Sequence, residues 1–142
     1  MGTRHILDEV ADDSDKTIVV AADRRLKLYY GQVTLVSTGS AGNRQMALEV
    51  LDDSAKLVYR SLAGATQAAS LTREYHFGPN AVRESAFVNG QIMVPTPPDL
   101  ILIPGWTLRI YDTAAIDAAA DDMTVSLVID DREMRRFDID AG

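Results

Sequence analysis

The feature that most restricts this chain is an alternation of apolar and polar residues with a period of two, repeated in short runs broken by turn formers. Met46, Leu48 and Val50 alternate with Gln45, Ala47 and Glu49. Ala69, Leu71, Arg73, Tyr75 and Phe77 alternate with Ser70, Thr72, Glu74 and His76, and Trp106, Leu108 and Ile110 with Thr107, Arg109 and Tyr111. Side chains leave a strand on opposite faces in turn, so these runs suit half-buried strands. Thr17 to Val20, Leu26 to Ser37 and Met123 to Ile129 are rich in Val, Ile, Leu, Tyr or Thr and read as further strands.

The breaks carry their own information. Asp52-Asp53-Ser54-Ala55 separates the Val50 run from Leu57-Val58-Tyr59 and predicts a hairpin, as does Asn89-Gly90 between Phe87-Val88 and the run Gln91 to Val94. Pro95, Pro97 and Pro98 exclude a central strand or a helix at that point, before the chain crosses to Leu100-Ile101-Leu102-Ile103 and turns at Pro104-Gly105. Ala114 to Asp122 is the one helix-prone run, with Asp112 or Thr113 available as its cap. About eight short strands spaced by turns predict an all-β fold, an antiparallel β-sandwich that is jelly-roll-like, with an immunoglobulin-like sandwich as the alternative.

At 142 residues the chain has the size of one domain. Residues 1–16 hold five acidic side chains (Asp8, Glu9, Asp12, Asp13, Asp15) and little periodicity, which predicts a flexible acidic N-terminal arm. Residues 17–142 are expected to form a single β-sandwich domain ending in a charged tail from Asp130, with an apolar pair at Phe137 and Ile139. With no cysteine, disulfides, thiolate metal sites and cysteine nucleophiles are excluded. The opening residues turn acidic before a signal-peptide core can develop, Ile6 breaks the myristoylation pattern, and Leu100 to Ile103 is too short to cross a bilayer, so a soluble protein without a membrane partner is expected. A net charge of −7 opposes binding to a phosphate backbone, so no nucleic-acid partner is expected either. Eleven of the 14 basic residues are Arg, the cation better suited to bidentate contacts with carboxylates, including those across protein interfaces.

No constellation of catalytic residues emerges. Ser40, in Gly39-Ser40-Ala41-Gly42, has Thr38 where a nucleophile elbow needs glycine, and its only candidate bases, His5 and His76, are distant in sequence. The same loop lacks the Gly-Lys-Ser/Thr ending of a phosphate loop. Two histidines are too few for a histidine-rich metal site, and His76 falls on the strand face opposite Tyr75 and Phe77. Asp12-Asp13-Ser14-Asp15, Asp52-Asp53, Asp121-Asp122 and Asp130-Asp131-Arg132-Glu133 could offer oxygen ligands to calcium, but none has the spaced calcium-loop pattern. Trp106 alternates with Leu108 and Ile110 and is assigned to the core in preference to a sugar-stacking surface. Catalytic, cofactor-binding and metal-binding residues are therefore each expected to be none, and the chain is expected not to be an enzyme.

Asn43-Arg44-Gln45 leading into an alternating strand, Ala68-Ala69-Ser70-Leu71-Thr72-Arg73 with Tyr75, Leu100 to Ile110 around Pro104-Gly105-Trp106, and the Ala/Asp-rich loop before the last strand resemble small virion proteins of tailed bacteriophages. The resemblance runs from Val33 to Val128. It implies a β-sandwich or jelly-roll structural protein localised to the virion, such as a capsid decoration or cement protein. Its implied partners are phage structural proteins, above all the major capsid protein, with multiple copies on the particle. A neck or tail component, or a carbohydrate-binding β-sandwich module, is the alternative. The charged ends are expected to help make the docking contact.

Overall fold

A computed structural model describes residues 3–12, 16–116 and 120–133. In chain order the strands are β1 (Thr3–Asp12), β2 (Lys16–Val19), β3 (Arg24–Val36), β4 (Met46–Leu51), β5 (Leu57–Leu62), β6 (Thr72–Pro79), β7 (Gln91–Thr96), β8 (Leu100–Leu102), β9 (Thr107–Asp112) and β10 (Asp122–Glu133). They form two sheets. One has the order β1-β10-β3-β6-β7, with β8 paired to β3, and the other has the order β2-β9-β4-β5.

The chain changes sheet at almost every connection; only the β4–β5 hairpin and the excursion β6 to β8 stay within one sheet. The first strand lies beside the last, and β1-β10-β3-β6 faces β2-β9-β4-β5. With β7 and β8 set aside as insertions between β6 and β9, this is an eight-stranded jelly roll. The immunoglobulin-like alternative is thereby set aside.

The core lies between the sheets, where the period-two residues meet. Leu28, Val33, Leu35, Tyr75, Phe77, Leu127 and Ile129 project from the six-stranded sheet against Met46, Leu48, Val50, Leu108 and Ile110 of the other, all of them buried. Each such side chain contributes on the order of 1.5–3 kcal/mol of transfer free energy. Trp106 packs, partly buried, against this cluster. Asn89 and Gly90 both take positive φ (53° and 78°), the conformation of a type I′ turn, and Val88 and Gln91 exchange backbone hydrogen bonds across it.

Several expectations are corrected. Thr3–Asp12 is not a free arm: it pairs antiparallel with β10. Its local pattern is weak because its partner is more than a hundred residues away in sequence. Residues 13–15 and the tail from 134, including Phe137 and Ile139, lie outside the described residues. The helix-prone run from Ala114 contains turns up to Ile116, and Asp122 already opens β10; residues 117–119 of that run are likewise outside the described residues. A run this short cannot offset the cost of helix nucleation by itself. β7 runs parallel to β6, not antiparallel, because residues 80–90 carry the chain back across the sheet end first. Ala47 and Glu49 are buried although their strand reads as half-exposed, since β4 is central in its sheet and neighbouring side chains cover its outer face.

Gly64 marks where the loop 80–88 lies on the main body: a Cβ there would run into the Glu84 carbonyl oxygen, a backbone atom that cannot swing away. Gly64→Ala is expected to cost about 1–3 kcal/mol by overpacking. Chemical denaturation checks it, with Gly39→Ala, whose Cβ would meet only ordinary contacts, as the neutral reference.

Candidate functional site

The residues singled out as possible chemistry do not converge. Ser40 sits in an exposed loop, its amide donating to Thr38 Oγ1 at 3.3 Å and its carbonyl accepting from Arg44. His5 and His76 are on β1 and β6, with β10 and β3 between them. Three strand spacings of about 4.8 Å separate their backbones by roughly 14 Å across the sheet. Asp52 Oδ1 accepts the amides of Ser54 and Lys56 (2.8 and 2.9 Å), a turn-forming role. Asp130 pairs with Arg132. Among the described residues no group of three or more His, Cys, Asp or Glu side chains is placed to hold a metal. Nor, among them, is any helix long and apolar enough to cross a membrane.

Asp121 instead anchors one end of the sandwich. Arg44, fully buried, donates from Nε to Asp121 Oδ2 (2.9 Å) and from an Nη to Asp121 Oδ1 (3.2 Å). Its remaining donors reach the carbonyls of Ser40 and Gly42 (both 2.9 Å) and Thr38 Oγ1 (3.4 Å), so the whole guanidinium fork is satisfied. The Thr38 amide donates to the same carboxylate at 2.8 Å. The pair ties the β3–β4 loop to the β9–β10 loop without a disulfide. Burial alone would push the Asp121 carboxyl up, but the bonds from Arg44 and the Thr38 amide and the Arg44 charge outweigh it and hold it below the ordinary carboxylate range.

The outer face of the four-stranded sheet is also closed upon itself. Glu49, at its centre, accepts from Arg60 of β5 (2.7 Å) and Arg109 of β9 (3.0 Å), and the Arg109 guanidinium stacks 3.6 Å from the centroid of Tyr111. Burial pushes the Glu49 carboxyl up, and hydrogen bonds from Arg60, Tyr111 and Arg109 more than reverse the shift. This charge cluster covers the strand beneath it.

The outer face of the six-stranded sheet is different. Val128 stands opposite Tyr30, and two residues of β3, Tyr29 and Tyr30, occupy the space of one against β10. This bulge turns Tyr30 outward, where it is 58% exposed. The next strands bring His76 and Met93, which lie opposite one another in the row of Gln32, two residues along β3 from Tyr30, so Val128, Tyr30, His76 and Met93 form a diagonal band across β10, β3, β6 and β7. Val36 and Ile101 are exposed on the same sheet. Beside the band, Gln32 donates to Glu74 Oε1 (2.6 Å) and Gln91 to Glu74 Oε2 (3.1 Å). His76 Nε2 is buried and has no hydrogen-bond partner. An unsatisfied nitrogen there costs free energy that an incoming donor or acceptor would recover. Period-two spacing puts His76 on this face; the bulge that exposes Tyr30 breaks that spacing in β3.

No family model matches the chain, and no curated protein matches it. Among solved structures it is similar to infectious bursal disease virus, Gx strain, at 12% identity and a TM-score of 0.41, over 90% of this chain and 32% of that one. It is similar to turnip yellow mosaic virus at 11% identity and a TM-score of 0.32, over 93% and 79% of the two chains. The VP2 subviral particle of infectious bursal disease virus gives 13% identity and a TM-score of 0.34, over 90% and 32%. The chain thus spans about a third of the length of the infectious bursal disease virus chains.

The buried pair yields a prediction. Because folding lowers the Asp121 pKa, the ionised carboxylate contributes fully above the ordinary value near 4, and that contribution fades as pH falls through the lower folded-state value. Asp121→Asn, which strands a buried guanidinium, is expected to cost about 3–5 kcal/mol near neutral pH and to flatten the acid limb of the stability curve. Urea melts from neutral to acid pH check both; an unchanged acid limb would count against the assignment.

Proposed function

We propose that this chain is a non-enzymatic structural protein of a virion, present in multiple copies and seated on its neighbours through the outer face of the six-stranded sheet. The observation that carries the reading is the band of Val128, Tyr30, His76 and Met93. An exposed aromatic and a methionine near a histidine whose Nε2 is buried without a hydrogen-bond partner are suited to burial against another protein surface. The jelly roll serves capsid domains, lectins and cupins alike, so the fold states no preference among them. A sugar-binding reading is less well supported, because Trp106 packs against the core.

The resemblance of the stretch from Val33 to Val128 to small tailed-phage virion proteins favours a tailed-phage particle, and within it a decoration protein over the head lattice. Icosahedral repetition lets modest contacts add up on one particle, so each copy need bind only weakly.

The test is quantitative mass spectrometry of purified particles carrying the full chain or a Tyr30→Asp/Met93→Asp variant, with the variant's fold checked by circular dichroism. Each substitution places a charge in the apolar band, and occupancy is expected to fall at least about tenfold, equivalent to about 1.4 kcal/mol. Because the contact is apolar, occupancy of the unaltered protein is expected to change little as salt rises. Absence of the full chain from particles, or undiminished occupancy of the folded variant, would overturn the proposal.

A further inference from the structure

Open sheet edges recruit other strands, and the edges of this sandwich are not equally protected. On β7, the outward groups of residue 91 are bonded to Val88, the Met93 amide donates to Glu84 Oε1 (2.8 Å) and its carbonyl accepts from the Glu84 amide (3.2 Å). Pro95 has no amide to offer, and its carbonyl accepts from Ser61 Oγ and Tyr59 Oη. β5 is irregular in register between Leu57 and Tyr59, and the Arg83 side chain takes the Leu62 carbonyl at 3.0 Å. β1 is irregular between Asp8 and Asp12.

Among the described residues, β2 has none of these devices. It pairs in unbroken register with β9, and among the described residues no strand lies on its other side. The Val20 amide donates to the Trp106 carbonyl, so residues 16, 18 and 20 turn their backbone groups toward β9. By alternation, Thr17 and Val19 turn theirs outward. Both are exposed, Val19 by 66%. The run Thr17-Ile18-Val19-Val20 is uncharged and β-branched throughout.

We propose that β2 pairs antiparallel with β2 of a second copy of this chain about a two-fold axis at Ile18, joining the two four-stranded sheets into one. The strand is self-complementary in that register. Thr17 and Val19 of one copy exchange amide and carbonyl hydrogen bonds with Val19 and Thr17 of the other, and their β-branched side chains meet as cross-strand pairs. Lys16 falls opposite Val20, so no like charges meet. The pairing is independent of the virion reading, since it is measured on the free protein.

The experiment is sedimentation of the full chain over a range of concentrations, expected to show a dimer of twice the 15.5 kDa chain mass. Val19→Pro removes an outward amide while leaving the β9 ladder intact, and is expected to weaken dimerisation about tenfold or more. Val19→Thr, which keeps the amide, is expected to dimerise as before. Should the proline variant lose its circular-dichroism signal, Val19→Lys keeps every backbone group and places a charge on the edge, with the same expected loss. Ile18→Cys reads the register: the chain has no other cysteine, and a non-hydrogen-bonded pair on the axis, with Cα atoms about 4.5 Å apart, is within disulfide range. A covalent dimer from Ile18→Cys and not from Val36→Cys supports the proposal. A monomer at every concentration, a dimer indifferent to a folded Val19→Pro or Val19→Lys, or capture only of an extended segment from another protein overturns it.

Discussion

The ladder between β3 and β10 is the constraint on which the rest of the sandwich depends. It runs in antiparallel register from Asp122 opposite Val36 to Glu133 opposite Arg24, and it joins the centre of one sheet to strands at both of its sides. Because β1 lies on β10, and β6 and β8 on β3, the six-stranded sheet is assembled around this pair. Its inward residues, among them Leu28, Val33, Leu35, Val125, Leu127 and Ile129, supply much of the core. Register matters because a slip by one residue would turn that whole set outward. Gly31 leaves room for its cross-strand neighbour: with a Cβ at that position the Leu127 side chain on β10 would have to shift.

A sandwich without disulfides must also fasten its loops, and here buried polar groups do so. Arg44 and Asp121 clamp two loops, while Gln67 donates to the carbonyls of Leu35 and Leu71 (2.9 and 3.0 Å) and accepts from the Tyr75 hydroxyl (2.8 Å). Burial pushes the Tyr75 phenol up, so it stays a donor across the physiological range. Ions removed from water recover only part of their solvation, so such clamps specify geometry more than they add net stability. The two outer faces divide along similar lines. Glu49, Arg60 and Arg109 satisfy one another on one sheet, whereas the band around Tyr30 on the other is completed by nothing within the described chain, and the functional proposal rests there.

Much of the architecture was legible in the residues. Alternation placed Met46, Leu48, Val50, Tyr75, Phe77, Leu108 and Ile110 in the core, Asn89-Gly90 in its tight turn and the Asp52 hairpin between β4 and β5, because pleat and turn chemistry are local properties. The same pattern indicated His76 on the face opposite Tyr75, and Trp106 against the core. Tertiary structure alone decided that Thr3–Asp12 is a strand, that Arg44 meets Asp121, that Glu49 is buried, that β7 runs parallel to β6, and that among the described residues β2 pairs only with β9. Each of these depends on a partner distant along the chain. The sequence specifies which face of a strand is apolar, but which strand lies beside it is settled only when both sheets close over one core.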